Sequence, residues 1–412
     1  MNKIKNPFII YIFLALILLI GIFLRFYHIE HVVPFGWDQA RDAFQTSYLL
    51  KGNILLEGPK TGIGNFHLGP LYFYLLAPFF FFTHLDPIAS QYLNIFLSSI
   101  TFVIIFYVTK KLFSLPFAFL LTSMYAINTY VTDLNRIPWN VSLVPPLSFL
   151  IFYFTYQTFT KKTYTWSIGL MSFCGMFFHA HFTAIAFPIM LVLLLLVNND
   201  RVKMLKLFLA SLPFYLLWYL PTIIDFFATS HSQYFLLKDF FTYYFIGFHL
   251  KFVLHRLPDV IIQFRTLLLL PAIADYMFII SLGASYFFTK RRIEIKIIFA
   301  WMLSTLFIFG MYGGPISDYY FFFTMPAVFY AFLILIEQLF KLPRYVAITV
   351  LTLFLVYYSY SNLVTSFGVL QRTEGLAKQK AEVKTKIRQG AEIKFNEGDI
   401  KSYLYLLYKK QL

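Results

Sequence analysis

The feature that most constrains this chain is a succession of apolar runs, each close to the 20 residues that a helix needs to cross a bilayer. The first extends from Phe8 to Leu24, and the others lie at residues 88–109, 114–132, 141–159, 164–180, 182–198, 204–224, 272–289, 293–312, 318–340 and 345–364. Charged residues make up 13% of the chain, about half their share in a soluble domain, which excludes a soluble enzyme. The sequence predicts an all-α polytopic membrane protein with eleven transmembrane helices.

Positive charges indicate the orientation of these helices. They cluster at Lys3/Lys5, Lys110/Lys111, Lys161/Lys162, Arg201/Lys203/Lys206, Lys290/Arg291/Arg292 and Lys341/Arg344. These clusters fall on alternate loops, and cytoplasmic loops carry the excess of Lys and Arg. The pattern predicts a cytoplasmic N-terminus and an external C-terminus, and the short loops favour a bacterial inner membrane. Because the net charge of +15 flanks membrane spans, we expect membrane lipids and no nucleic acid as partners.

The segment Leu68–His84 tests this count, because it is apolar but has only about 17 residues and two interior prolines. If it crossed the membrane, most later basic clusters would move outside. We therefore assign it as an interfacial or re-entrant helix within a long first outer loop, residues 27–87.

Two further outer regions follow, at residues 133–140 and 225–271. The transmembrane domain is predicted to occupy residues 1–365, and residues 366–412 form a basic external tail with one helix and a short Tyr/Leu segment. The single cysteine, Cys174, excludes an intramolecular disulfide and a cysteine metal cluster.

Candidate chemistry begins in the first outer loop, at Asp38, Arg41 and Asp42. One interpretation makes Asp38 the N-cap of a helix predicted over 38–51, with Arg41 and Asp42 on its exposed face. The other makes Asp38 a general base beside a phosphate-binding Arg41, since residues three apart share a helix face.

The motifs of this loop resemble those of the polyprenyl-phosphate-sugar glycosyltransferases of the GT-C superfamily, which include the protein O-mannosyltransferases and the lipid A aminoarabinose transferases (families 39 and 83). The family motif, Asp-Glu-x-Arg/His-Tyr/Phe-Ala, corresponds here to Asp38-Gln39-Ala40-Arg41-Asp42-Ala43. A second family element, Lys-Pro-Pro-Leu-x-Tyr-Trp, corresponds to His67-Leu68-Gly69-Pro70-Leu71-Tyr72-Phe73. His67 thus stands near the position of the phosphate-binding lysine, and Lys60 is an alternative source of that charge.

The resemblance implies a GT-C fold and the transfer of a sugar from a polyprenyl-phosphate donor to an unknown hydroxyl acceptor on the outer face. It implies an inverting displacement with Asp38 as the base. Donor-phosphate binding is assigned to Arg41, Lys60, His67, Arg136 and Arg256. No nucleotide is required. Gln39 replaces the family's Glu, so no metal site is assigned, although a divalent metal stays open.

The remaining candidates each have two interpretations. In the second outer loop, Asp133, Arg136 and Asn140 either line the same cavity or anchor the chain at lipid headgroups. His179 and His181 pack or hydrogen-bond at a cavity, or they bind a metal at an irregular turn.

The last outer regions are equally open. Arg256 either grips a lipid phosphate or belongs to a solvated basic face. Asp318 and Tyr319 either begin the tenth span as a cap or close the cavity over the sugar.

Rival functions are a transporter or a flippase for lipid-linked sugars, which would place ionisable residues in the middle of spans. The acids of the membrane body lie instead at outer edges, at Asp38, Asp133, Asp225 and Asp318. A polymerase or ligase of the O-antigen type would carry its polar loop late in the chain. The sequence therefore favours the transferase.

Overall fold

The computed structural model describes residues 7–32, 35–62, 66–228, 232–245, 247–269, 272–371 and 375–411. Within these residues the chain forms α-helices, short 3-10 helices and two isolated β-bridges, with no longer strand. The α-helices are α1 (Pro7–Phe26), α2 (Ile29–Val32), α3 (Trp37–Leu50), α4 (Leu71–Phe82), α5 (Ala89–Leu112), α6 (Leu115–Ile127), α7 (Thr129–Arg136), α8 (Val144–Lys161), α9 (Tyr164–Met176), α10 (Ala186–Leu196), α11 (Arg201–Leu216), α12 (Leu220–Ala228), α13 (Ser232–Tyr244), α14 (Leu250–Leu268), α15 (Ala272–Phe288), α16 (Arg292–Met311), α17 (Met325–Leu339), α18 (Arg344–Leu370), α19 (Leu376–Arg388) and α20 (Ile400–Tyr408).

Each predicted apolar segment coincides with one helix or with two consecutive ones. Five helical stretches among the described residues are long and apolar enough to cross a membrane: Ala89–Leu112, Arg201–Ala228, Arg292–Met311, Asp318–Leu339 and Arg344–Gly368. Shorter apolar helices include Ile10–Phe26, Leu115–Ile127 and Phe182–Leu196. The chain is thus an all-α polytopic membrane protein, as predicted, whereas the count of eleven spans remains a prediction.

The chain divides into two compact units. The first comprises Met1–Pro59, Pro70–Ser142 and Ser359–Leu412, and the second comprises Lys60–Gly69 and Leu143–Tyr358.

In the first unit, α1 packs on α5 and α6, and two buried arginines fix its C-terminal end. Arg25 donates to Gly21 O and Ala126 O, both at 3.0 Å, and to Asn135 Oδ1 at 3.1 Å. Arg136 donates to Leu24 O at 2.6 Å and to Tyr27 O at 2.5 Å. The last carbonyls of a helix lack partners within the helix, so these guanidinium groups supply them and hold α7 against the end of α1.

An ion cluster in the same unit joins α19 to the end of α1 and the start of α5. Lys380 Nζ lies 3.2 Å from Glu30 Oε1 and 2.7 Å from Asp86 Oδ2. Glu30 follows the end of α1, Asp86 precedes the start of α5, and Lys380 lies within α19. The end of α1 and the start of α5 therefore lie on one side of the membrane, which requires an even number of crossings between them. Among residues 30–32, 35–62 and 66–86, which the structure describes, α4 is the only strongly apolar helix, so it does not cross alone.

The C-terminal segment folds as two helices, α19 and α20, rather than as the expected one helix and a short Tyr/Leu segment. The Tyr/Leu segment is α20, and it packs on α3. Tyr403 makes edge contacts with the rings of Phe44 and Phe80 at centroid distances of 5.1 and 6.5 Å. Ile400, Tyr403 and Leu404 are three and four residues apart, so they lie on one face of α20, and all three are buried.

In the second unit, α8 packs on α9, α9 on α11, and α16 on both α10 and α14. Trp301 is fully buried and contacts the rings of Phe152, Phe187 and Phe323 at 5.2–6.3 Å. The charged residues of this unit's long spans lie at helix ends, as shown by Arg291, which pairs with Glu294 at 3.0 Å and with Glu337 at 2.7 Å.

Candidate functional site

The candidate site in the first unit is built on the first turn of α3. The N-cap residue is Gly36, and its N–H donates to Gln39 Oε1 at 2.8 Å. Gln39 Nε2 also donates to Pro138 O at 2.8 Å, which ties α3 to the second outer loop. The interpretation of Asp38 as the helix cap is therefore wrong: Gly36 and Gln39 satisfy this turn, which leaves the Asp38 carboxylate available for other contacts.

Asp38, Arg41 and Asp42 form one ion cluster on this helix. Arg41 Nη1 donates to Asp38 Oδ1 at 2.8 Å, and Arg41 Nη2 donates to Asp42 Oδ1 at 2.6 Å. The exposed fraction of the side chain is 45% for Asp38, 10% for Arg41 and 1% for Asp42. Asp38 is thus the carboxylate that an incoming molecule can reach, and Asp42 lies beneath the guanidinium.

Burial and the neighbouring charges shift the pKa values of Asp42 and Arg41 from their ordinary values. Burial raises the pKa of Asp42 to about 7, with a further increase from the charge of Asp38 and an opposing effect from Arg41. Burial acts to lower the pKa of Arg41, but the two carboxylates outweigh it and hold that pKa above its ordinary value. The Arg41 guanidinium also lies 5.3 Å from the centre of the Trp37 ring. The cluster therefore keeps its cation charged while one of its two acids exchanges a proton near neutral pH.

Helix α4 supplies a fourth polar group to this cluster. Tyr72 is fully buried, and the charges of Asp42 and Arg41 act on its hydroxyl. Tyr72 OH and Asp42 Oδ2 are both buried without a hydrogen-bond partner among the described residues. An unsatisfied buried polar atom is costly, so this corner of the site is suited to a water molecule or a ligand hydroxyl.

The second outer loop contributes less to this site than the sequence suggested. Arg136 is fully buried, and it donates to the carbonyls at the end of α1. Asp133 lies half-buried on α7, and Asn140 is buried at the start of a 3-10 helix, Asn140–Leu143. We therefore leave Arg136 out of the phosphate-binding set proposed below.

Lys60 and His67 face each other in the second unit. They form an isolated antiparallel bridge, and Thr61 N donates to Phe66 O at 2.9 Å beside it. Both side chains are half-buried. The two residues predicted as alternative sources of one charge thus lie opposite each other.

His179 lies against Gly69 in the same unit. A Cβ atom at Gly69 would lie 2.1 Å from His179 Nδ1, so only glycine fits at this close approach. His179 Nε2 is 2.8 Å from Trp218 O. The imidazole therefore packs on Gly69 and hydrogen-bonds within this unit.

His181 points elsewhere and contacts Tyr319, with ring centres 5.7 Å apart. Its Nδ1 accepts the Thr183 N–H at 3.3 Å, and burial lowers its pKa to about 3. Asp318 is exposed in the first turn of a 3-10 helix, Asp318–Thr324, whose N-cap is Ser317. No group of three His, Cys, Asp or Glu side chains suited to a metal ion occurs in the parts of the chain that the structure describes.

Two apolar cavities occupy the second unit. One, of about 250 Å³, is lined mainly by aromatic rings, among them Phe66, Phe182, Tyr215, Tyr219 and Phe240. The other, of about 600 Å³, is lined by α10, α14 and α16, and Pro188 lines both cavities. Val253 lines the larger one, and Arg256 follows it by one turn of α14, with Nη2 3.4 Å from Gly314 O and Nη1 3.6 Å from Asp259 Oδ2.

Comparison with solved structures identifies the fold. ArnT from Cupriavidus metallidurans, solved with bound undecaprenyl phosphate, matches with a TM-score of 0.55 at 12% identity, over 98% of this chain and 76% of ArnT. The Archaeoglobus fulgidus oligosaccharyltransferase in its apo form matches with a TM-score of 0.62 at 13% identity, over 99% of this chain and 61% of its own. Both proteins are GT-C enzymes. The chain has the GT-C fold.

A second structure of the archaeal enzyme, AglB in complex with an inhibitory peptide and a dolichol-phosphate, matches with a TM-score of 0.57 at 13% identity, over 98% of this chain and 60% of AglB. No family model and no curated protein sequence matches the chain. The GT-C fold is thus recognised here through the arrangement of helices, at a sequence identity too low to transfer an activity.

On this GT-C fold, sequence reasoning missed two contributors to the Asp38 site. Tyr72 was visible as the tyrosine of the second motif, but nothing in its spacing from Asp42 indicated that they meet. Gln39 was read as a missing carboxylate, whereas it fixes the turn that carries Asp38. A capping-box pattern, with Gln three residues after Gly36, was the available signal.

Proposed function

We propose that this chain is a membrane glycosyltransferase that moves a sugar from a polyprenyl-phosphate donor to a hydroxyl group of an acceptor. The observation that carries the proposal is the Asp38–Arg41–Asp42 cluster, which stands in the first loop of a GT-C fold. Support for the donor class comes from the neighbours, which were solved with undecaprenyl phosphate and with a dolichol-phosphate.

In the proposed reaction, the acceptor oxygen attacks the anomeric carbon as the bond from that carbon to the phosphate oxygen breaks. Asp38 takes the acceptor proton, because it is the exposed carboxylate of the cluster. Arg41 offsets the charge that develops on the departing polyprenyl phosphate. A single displacement of this kind inverts the anomeric carbon and needs one base, in contrast to the carboxylate pair of a glycoside hydrolase.

Asp42 has a supporting role in this scheme. Its carboxyl group lies under Arg41 at 2.6 Å, so it fixes the guanidinium in the orientation that faces Asp38. Gln39 leaves no second exposed carboxylate next to Asp38, and we do not include a metal ion in the step.

The donor's lipid chain is proposed to occupy the apolar cavities of the second unit. Their walls are almost wholly apolar, as isoprenoid units require. Arg256, one turn from Val253, is the cation nearest in sequence to this lining, and Lys60 with His67 forms a second cationic pair in the same unit. Binding of the donor phosphate by these three residues stays a prediction.

The test measures the release of polyprenyl phosphate from a panel of radiolabelled polyprenyl-phosphate sugars. Membranes contain the wild type or the Asp38→Asn variant, with a cell-envelope extract added as a source of acceptor. We expect release from one donor and a loss of about a hundredfold or more in the variant, the range for removal of a general base. Repeating the assay with EDTA tests for a divalent metal.

Asp200→Asn is a matched control, since Asp200 also pairs with a cation, Lys162, and its side chain is 49% exposed. It should release polyprenyl phosphate at the wild-type rate. If Asp38→Asn stays within a few-fold of wild type, the base is wrongly assigned. If folded wild type releases nothing from any donor while substrate crosses the membrane, the transporter or flippase alternative replaces the transferase.

A further inference from the structure

The C-terminal helices α19 and α20 take no part in the proposed reaction. Their inner side holds them in place through a few specific contacts. Gln379 Nε2 donates to Phe35 O at 2.8 Å, and its Oε1 accepts the Phe35 N–H at 3.1 Å. Tyr403 OH donates to Leu85 O at 2.8 Å and lies 2.9 Å from Ser47 Oγ. The segment is therefore a folded part of the first unit, and its outer side is a defined surface.

The position of this segment places it at the level of the lipid headgroups. Lys380 joins Glu30 and Asp86, which adjoin the end of α1 and the start of α5. Both of these helices are apolar and end where they leave the hydrocarbon region. A helix bonded to both ends lies beside the headgroups.

The outer side of the segment is strongly basic. Five exposed cations define what we call the basic face: Lys384, Lys386, Arg388, Lys394 and Lys410. None of them forms an ion pair with a residue in the described ranges. The same segment exposes two acids, Glu392 and Glu397. Two cations of the segment do pair: Lys380 belongs to the inner contacts, and Lys401 joins the partly exposed Glu382 of α19. The five cations of the basic face therefore exceed the exposed acids of the segment.

Exposed aromatic rings adjoin the basic face. Phe395 is 56% exposed next to Lys394, and Trp37 is 53% exposed where it packs against Gly398. Aromatic residues interleaved with cations are typical of surfaces that lie in the headgroup region, and the ion cluster of Lys380 places this segment beside the ends of two apolar helices. The combination favours a lipid surface.

We propose that the basic face is a docking surface for anionic phospholipid headgroups of the leaflet next to the ends of α1 and α5. The cations attract the headgroup phosphates, and the rings of Phe395 and Trp37 enter the interface beside them. Because α20 packs on α3, lipid engagement holds the helix that carries Asp38 at the membrane surface. This proposal does not depend on glycosyl transfer.

The test uses energy transfer from a fluorophore on the full-length protein. The single cysteine, Cys174, is buried, so a maleimide dye can be directed to Gln389→Cys at the exposed end of α19. The labelled protein is reconstituted in phosphatidylcholine vesicles with about one-fifth phosphatidylglycerol, carrying a trace of acyl-labelled phosphatidylglycerol or acyl-labelled phosphatidylcholine. At low ionic strength we expect about fivefold more transfer to the anionic lipid, and the preference should decline as salt is added.

The matched variants each remove the same number of charges. Lys386→Gln, Arg388→Gln, Lys394→Gln and Lys410→Gln together should abolish the preference. Lys110→Gln, Lys111→Gln, Lys161→Gln and Lys203→Gln, at exposed positions near helix ends elsewhere, should keep it. Circular dichroism and the elution volume of the first variant verify that it is folded.

Equal transfer to both lipids in the wild type would overturn the proposal, as would a preference that survives in the basic-face variant. Binding of long-chain polyphosphate to the labelled protein tests the alternative of a soluble polyanion. If polyphosphate binds the labelled protein while the lipids show no preference, the basic face takes a soluble polyanion and the lipid assignment is wrong.

Discussion

Asp42 differs from the other acids of the site because it is buried against the cation it neutralises. Its Oδ1 lies 2.6 Å from Arg41 Nη2, and its Oδ2 has no partner among the described residues. A buried carboxyl group that titrates near neutral pH gives the site a charge that depends on pH. Below that pH, Asp38 alone offsets Arg41, and above it both carboxylates do.

The stability of the protein should report this titration. Because burial raises the pKa of Asp42 from 3.8 to about 7, the folded chain retains a proton between these pH values that the unfolded chain releases. The contribution of Asp42 to stability is therefore present below about pH 4 and is lost as the pH rises to about 7. Asp42→Asn lacks this loss, so its unfolding temperature relative to wild type should rise across that interval.

Thermal unfolding of detergent-solubilised protein between pH 4 and pH 8 measures this difference. Asp200→Asn is the control, because the hydrogen bond from Lys162 lowers the pKa of the exposed Asp200, and its difference from wild type should stay constant between pH 5 and pH 8. A constant difference for Asp42→Asn would mean that Asp42 is ionised throughout and that its assignment as the titrating acid is wrong.

At the scale of elements, α3 is the helix whose position the rest of the first unit determines. Its N-terminal turn is tied to the second outer loop through Gln39, and its flank is covered by α20. The preceding residue Phe35 is held at both its N–H and its C=O by Gln379. An isolated helix of 14 residues is only marginally stable in water, so α3 owes most of its stability to such contacts.

Loss of the Gln379 contact should therefore loosen the start of α3. Gln379→Leu leaves the N–H and C=O of Phe35 without their partners, at a cost of about 1–3 kcal/mol. We expect amide hydrogen exchange in the first turns of α3 to become roughly tenfold faster or more. Exchange read by mass spectrometry on the full-length protein tests this. Gln389→Leu, at an exposed position on the same segment, should leave α3 unchanged, and equal protection in both variants would show that the tail does not support the helix.

The sequence predicted the elements better than it predicted their contacts. Apolar periodicity located all eleven apolar segments and α3, because burial in lipid leaves a strong compositional signal. It could not predict that Arg136 bonds to the end of α1 or that Gln379 bonds to Phe35, since the identity of a polar residue does not indicate which distant residue it contacts. Asp38 and Arg41 were paired correctly because they are neighbours on one helix, whereas Tyr72 is on another.

At the scale of the whole molecule, contacts within the first unit restrict the membrane topology. Lys380 joins Glu30 to Asp86, so the loop residues between them leave and return on one side. Five helical stretches are long and apolar enough to cross a membrane, and shorter apolar helices accompany them. Labelling of added cysteines from one side of the membrane can determine the number of crossings, because the native Cys174 is buried.

Three variants that each add one accessible cysteine test the arrangement: Ile54→Cys in the first loop, Gln389→Cys in the tail and Lys111→Cys in the last turn of α5, all at exposed positions. A membrane-impermeant maleimide should label the first two from the same side and the third from the opposite side, since α5 crosses once between them. Inverted and right-side-out vesicles distinguish the sides, and the predicted cytoplasmic N-terminus places the first two outside. If Ile54→Cys and Gln389→Cys were labelled from opposite sides, an odd number of crossings would separate them. The proposed catalytic helix and the tail could then not share a membrane surface, and both the base assignment and the lipid-docking surface would need a different topology.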